Sequence, residues 1–443
     1  MIMTDNTVEN EIEELEDFEL FESAIDTYIL DIESLAETLP LVLGLTALRL
    51  KSSSNKLDKF IESNTVQNET GEKQFKIPID QFNQFNQLDK AQNIASAAMN
   101  ILPRTFIVAL VSQYDAFLGN LYRALFQLKP ELAYSLEKEF TFQEILKFND
   151  IDELKSEVIE KDVEKLLRES HYEQFKILER RITKLTGKEF TLTTNLPVLP
   201  TFIEVAERRN LFVHCNGLVS QQYIDNCNKH KVKGLDEINF GDELDVDPLY
   251  FNNAYKAYLE IGVKLNQVLW RKFLPNRLVE ADRNLNNIAF DLLYNGYYDM
   301  AKILLKFGTE EIPKNGNQEM RKTLVVNKAL AYYLDNDKKT ANKILDAEDF
   351  SLGNEFKLAV FVLKENYEEA KKMMMKIGID DEIGKEEYQE WPLFKVFRET
   401  EIFKETFKEL FKEDFIIREA PKKAFQSLLE DISSKKKEIK NKE

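Results

Sequence analysis

The stretch Glu207-Arg208-Arg209-Asn210-Leu211-Phe212-Val213-His214-Cys215-Asn216-Gly217 places two arginines, an amide and one of the chain's three histidines in a single helical segment, closed by a glycine. Histidine gains or loses a proton near neutral pH without special help. Arginine is a permanent planar cation whose donors match phosphate oxygens. An imidazole beside guanidinium groups is suited to phosphodiester chemistry, because proton transfer and charge stabilisation on phosphate can both be supplied without a metal. Helical geometry sets a limit on this. Asn210 and His214 are four apart and share a face, whereas Arg209 is five before His214 and points about 140° away. Either the helix end distorts, or a second copy supplies the missing half across a two-fold axis. The plainer alternative also stands: a hydrogen-bonded structural histidine, and arginines paired with Glu204 and Glu207.

The elements that must position this stretch are helical. Phe18, Leu20, Phe21, Ala24, Ile25, Tyr28 and Ile29 recur at threes and fours and predict an amphipathic helix. Residues 51–90 are polar and poor in aliphatics, which predicts a linker or mobile loop after an N-terminal helical extension, 1–90. From Ala91 the pattern tightens. Pro103 is placed for a first helical turn, and a nearly continuous apolar stripe runs from Phe106 to Phe126. Such a helix belongs in the middle of a bundle. Further helices are predicted at 141–148, 151–185 (ended by Gly187) and 201–217, with a further segment at 218–229. The acidic run 236–247 reads as a linker, and a last apolar helix at 248–275 closes a bundle spanning 91–275.

The part from 276 to 432 shows internal similarity. Segments beginning at Leu292, Tyr332 and Phe361 each join an apolar helix end to a Gly- or Asn-containing turn and a second helix carrying a small residue, Ala301, Ala341 or Ala370. These predict helical hairpins that resemble a degenerate tetratricopeptide-like array, whose period is about 34 residues. Such arrays form concave surfaces for protein partners, so a regulatory protein partner is expected there. The tail 433–443 is lysine-rich.

Composition bounds the rest. The 443 residues suggest more than one domain, and 14 Gly and 11 Pro over that length argue for an all-α chain. The net charge of −18 counts against any global attraction for nucleic acid. A nucleic-acid contact would need a local basic patch, for which Arg180, Arg181, Lys184, Arg208 and Lys231 are the candidates. Cys215 and Cys227 cannot build a disulfide framework and fit a reducing interior. Cys227-x2-His230 could chelate, but no second half with zinc spacing accompanies it, so neither metal nor cofactor is expected. The opening residues carry no basic segment of a signal peptide, and the apolar run Leu39 to Leu48 is too short to span a bilayer. A cytoplasmic protein without membrane contact is expected.

Arg209-Asn210-x3-His214, at the end of a four-helix region with Gly217 and Tyr223 following, resembles the signature of the HEPN superfamily: an arginine, a polar residue, then a histidine four to six positions beyond the arginine. The resemblance covers roughly residues 91–230. It implies a metal-independent endoribonuclease of toxin or antiviral type, with two motifs meeting at a homodimer interface. By position, Arg209 would bind the scissile phosphate, His214 would act as general acid or base, and Asn210 would orient one of them. Arg208 also satisfies the spacing, and Asn210 favours Arg209. Other members of the superfamily are non-catalytic, which leaves a dimerising adaptor as the second expectation.

Overall fold

The computed structural model describes residues 6–67, 72–135, 141–351, 353–379 and 383–416. The fold is all-α, and among the described residues the only strands form a small hairpin. They divide into two units, 1–275 and 276–443. The lysine-rich tail 433–443 lies outside the described residues.

In the first unit α1 (Asn6–Ser63) and α2 (Phe82–Leu128) form a long antiparallel hairpin. Aromatic contacts fix its register, with Phe60 against Phe85 near the tip and Tyr28 stacked on Phe117 deeper in. Between the helices, β1 (Thr65–Gln67) pairs antiparallel with β2 (Lys73–Phe75). This corrects the expected linker: residues 51–63 continue α1, and residues 82–90 begin α2. The polar side chains stay in helix because Phe60, Phe75 and Phe85 pack together at the hairpin tip. Pro103 likewise lies inside α2 rather than in its first turn, since the helix has already formed through the Ala- and Ile-rich segment before it.

The chain continues through α3 (Phe142–Ile145), α4 (Ile151–Arg168), α5 (His171–Thr186), α6 (Leu199–His214), α7 (Gln221–Lys229) and α8 (Pro248–Phe273). The single helix expected over 151–185 is two. Ser170 interrupts it in extended geometry, and its hydroxyl caps α5 by accepting from the Glu173 amide. Helix α8 lies against α1, α2 and α6. An aromatic cluster of Tyr28, Tyr114, Phe202 and Tyr258 joins these four helices.

Gly262 on α8 is what lets α1 come this close. A Cβ there would meet Tyr28 Cε1 at 2.3 Å, and the Tyr28 ring is already fixed by Phe117 and by its hydroxyl donating to the Tyr258 carbonyl at 2.9 Å. Gly262→Ala is therefore expected to destabilise by about 1–2 kcal/mol, the overpacking cost exceeding the helix-propensity gain. Denaturant titration checks this, and a more stable variant would contradict the close approach.

Helix α2 also contains the described stretch that is long and apolar enough to cross a bilayer by length and composition, with mean hydropathy 1.7 and a third of it buried. It lies well beyond the apolar run 39–48. Arg104, the charge within that stretch, and Asp115, further along the same helix, are both engaged inside the unit.

The second unit contains α9 (Leu278–Tyr294), α10 (Tyr298–Lys306), α11 (Gln318–Leu334), α12 (Lys338–Asp346), α13 (Asn354–Leu363), α14 (Tyr367–Ile377), α15 (Lys385–Glu390) and α16 (Glu401–Phe411). Its first three hairpins share one turn. Gly296, Asn336 and Glu365 each adopt left-handed φ, and the next residue donates its amide to a carbonyl five positions back: Tyr297 to Leu292, Asp337 to Tyr332, Asn366 to Phe361. Ala301, Ala341 and Ala370 are fully buried at the start of each second helix. A larger residue there would hold the two helices apart.

Candidate functional site

Helix α6 carries the motif and is built with a buried half and an open half. Phe202, Ile203, Val205, Ala206 and Leu211 are buried, while Asn210, Val213 and His214 are exposed. The helix stops because Asn216 and Gly217 both take left-handed φ, and the Gly217 amide returns to the Leu211 carbonyl at 3.0 Å. Glycine is required at 217 for a second reason: a Cβ there would lie 3.0 Å from Arg104 Nη1 and 3.2 Å from the Leu244 carbonyl oxygen.

Arg104 secures this helix end from α2. It donates to the Asn216 carbonyl at 3.2 Å, to Glu243 at 2.8 Å and to Asp245 at 2.5 Å. The Glu243 and Asp245 contacts correct the reading of 236–247 as a linker. The segment folds back on residues 217–219 through the Leu218–Glu243 bridge and three backbone hydrogen bonds, so its carboxylates serve as a strap on the motif's end.

The motif side chains divide as helical geometry requires. Arg209 points into the unit, where Nη2 donates to Asp115 Oδ2 on α2 at 3.1 Å. The other oxygen of Asp115 lies 3.2 Å from Nε2 of His171, the first residue of α5. That separation is within ion-pair reach but off the line of a hydrogen bond, and neither atom has a hydrogen-bond partner. His171 is buried among Tyr114, Phe202 and Tyr258. Asn210 and His214 lie on the exposed side, and the structure gives neither side chain a hydrogen bond among the described residues.

Arg208, expected among the RNA contacts, is instead a largely buried cation held by internal partners. It donates to Glu204 at 2.7 Å and to the Asp245 carbonyl at 3.2 Å, and its guanidinium lies 4.0 Å from the Tyr250 ring centroid. Burial opposes its charge, but Tyr250 and Glu204 outweigh that and raise its pKa. Glu204 is a three-way acceptor, taking Tyr223 at 2.6 Å and Tyr250 at 2.8 Å as well. Burial, then the Glu204 charge, push both phenols up.

The remaining cations also separate. Arg181 turns inward onto Asp162, 2.9 Å from Nη2 to Oδ1, and burial pushes it down to about 10. Its guanidinium, expected among the RNA contacts, is thus committed to Asp162, although the side chain lines the same cleft as Arg180 and Lys184. Arg180 and Lys184 are exposed and line a cleft of about 410 Å³ between α4 and α5, which Lys165 joins. Lys231 is exposed in the turn after α7, away from that cleft's lining. Among the described residues no three His, Cys, Asp or Glu side chains gather as a metal site. Cys227 is buried, its thiol pushed up to about 12 by burial and then Glu204. His230 lies against Tyr172 in a tilted ring pair, centroids 4.4 Å apart, and burial and then Lys229 lower its pKa.

No protein-family model, curated protein or solved structure matches this chain. Its function has to be argued from the site itself. Asp115 and His171 are the members of that site which motif spacing does not reveal. A signal was present for Asp115, the lone carboxylate within the apolar stripe from Phe106 to Phe126. His171 carried none beyond the rarity of histidine in this chain.

Proposed function

We propose that the chain is a HEPN-type, metal-independent endoribonuclease whose site is completed by a second copy. One observation carries this reading. His214 and Asn210 stand exposed on the open face of α6, while Arg209 of the same motif faces the opposite way onto Asp115. An exposed imidazole with no internal partner is available for proton transfer, and a partner's guanidinium must supply the charge for the phosphate.

The surroundings support a second copy as that partner. Val213 and Leu218 flank His214 and are 50% and 48% exposed, and on α2 Ile101 is 58% exposed, one turn from the Arg104 that grips Asn216. An apolar edge of this kind, continuous with the motif, suits a two-fold contact. The α4–α5 cleft with Lys165, Arg180 and Lys184 would take the phosphates of the RNA strand against the chain's overall negative field. The repeated hairpins of the second unit support a tetratricopeptide-like array that holds a regulatory protein or antitoxin. The toxin or antiviral setting follows from the HEPN resemblance, and a cytoplasmic location from two cysteines that suit a reducing interior.

Two inactive variants test the composite site. The unaltered chain is expected to cleave single-stranded RNA in EDTA, and Arg209→Ala and His214→Ala each to lose that activity. Mixed and allowed to exchange, they should regain up to roughly a quarter of it, because half of randomly paired dimers carry one intact Arg209–His214 pair across the axis. No regain by exchanged dimers would place the site within one chain. An unaltered chain inactive on diverse RNAs would favour the non-catalytic adaptor, for which the array would be the working surface.

A further inference from the structure

We infer that Asp115 is a positioning residue of the motif, holding Arg209 in place through a three-membered relay with His171. The inference rests on the ribonuclease reading for its kinetic consequence, and on geometry alone for its existence.

Asp115 sits on α2, His171 begins α5 and Arg209 is on α6, so three separate helices converge on one carboxylate. Its two oxygens are divided between them: Oδ2 accepts from Arg209 Nη2 at 3.1 Å, and Oδ1 faces His171 Nε2 at 3.2 Å. The apolar aromatic wall of Tyr114, Phe202 and Tyr258 keeps water from His171, which is 6% exposed. In such surroundings a charge pair is worth more than at the surface, and an unpaired charge costs more.

The division of donors is what makes this more than a static ion pair. Guanidinium has five N–H donors, and Asp115 engages Nη2. The Arg209 side chain keeps about a quarter of its surface open, so donors remain for a phosphate oxygen while one edge is fixed from behind. A guanidinium tethered in this way loses little further freedom when an anion arrives. His171 in turn limits the swing of Asp115. The oblique His171–Asp115 contact fits a relay that tightens when Arg209 takes up its anion, since such hydrogen bonds are often poorly aligned until substrate binds.

Two measurements decide it, one of them independent of activity. Because the chain has three histidines, the imidazole N–H signals can be assigned by substituting each in turn. The relay predicts a downfield His171 N–H resonance that moves upfield in Asp115→Asn. A resonance indifferent to that change overturns the relay, whatever the enzyme does. In RNA cleavage, Asp115→Asn is expected to lower kcat by roughly 10–100-fold through misplacement of Arg209, with KM within about threefold. On the background of Arg209→Lys, which no longer presents the same fork, the added fall should be under about threefold because both changes strike one unit. Equal falls on both backgrounds would make Asp115 a structural residue only. If the unaltered chain cleaves no RNA, the ribonuclease reading fails, and the resonance alone then decides whether the relay exists.

Discussion

His214→Ala is expected to reduce RNA cleavage by roughly 10²–10⁴-fold, the range supplied by a positioned general acid or base, while leaving the fold in place. Both halves of that expectation follow from where the side chain lies. A structural histidine would be buried and bonded. His214 is exposed at the last turn of α6, and no hydrogen bond to it is present among the described residues. Its truncation therefore removes no packing and leaves no partner unsatisfied. Surface substitutions of this kind stay within about 0.5 kcal/mol, which for a unit of this size is a shift in Tm of no more than about 2 °C. Cleavage assays in EDTA and a thermal melt, run on the same preparation, check the pair of outcomes. Undiminished cleavage would remove His214 from the mechanism. A large fall in Tm would mean that it supports the fold through contacts its exposure does not suggest.

The same helix shows which parts of the structure the sequence made legible. The 3.6-residue rhythm of α6 and the angle between positions 209 and 214 were enough to separate Arg209 from His214, and the structure puts them on opposite sides. The turns of the second unit were legible too, because a left-handed residue at Gly296 or Asn336 leaves a local mark in residue type. What stayed hidden was long-range. Nothing in the spacing of residues 51–90 says that Phe60, Phe75 and Phe85 meet and turn an apparent linker into a hairpin tip. The carboxylates of Glu243 and Asp245 look like a solvated run until Arg104, far back in the chain, is seen to need them. Local composition likewise does not tell Arg208 from Arg209. One is neutralised within its own helix by Glu204, whereas the other crosses to α2.

That difference between neighbouring arginines leads to the largest expected effect on stability, at Glu204. Its carboxylate is 6% exposed and accepts three hydrogen bonds, from Arg208 on the same helix, Tyr223 on α7 and Tyr250 on α8. Glu204→Ala would strand a buried guanidinium with only the Asp245 carbonyl and the Tyr250 ring, and leave two phenols without an acceptor. Removing one partner of a buried charge pair costs about 3–5 kcal/mol, which lowers Tm by roughly 6–15 °C at this size. Glu204→Gln keeps one acceptor oxygen, enough for Tyr223 and Arg208, while its amide NH2 faces Tyr250 and can only donate to that hydroxyl; it should lose about half as much. Replacing the pair together, Glu204→Leu with Arg208→Met, should recover the part of the loss due to the uncompensated charge, while Tyr223 and Tyr250 still lack their acceptor. Denaturant titration of the three variants gives the ordering, and equal stabilities for Glu204→Ala and the unaltered chain would dissolve the hub. Because Glu204 ties α6 to its two neighbours, cleavage by the Ala variant should fall with the folded fraction and return on cooling. His214→Ala, by contrast, should stay inactive at every temperature at which it is folded.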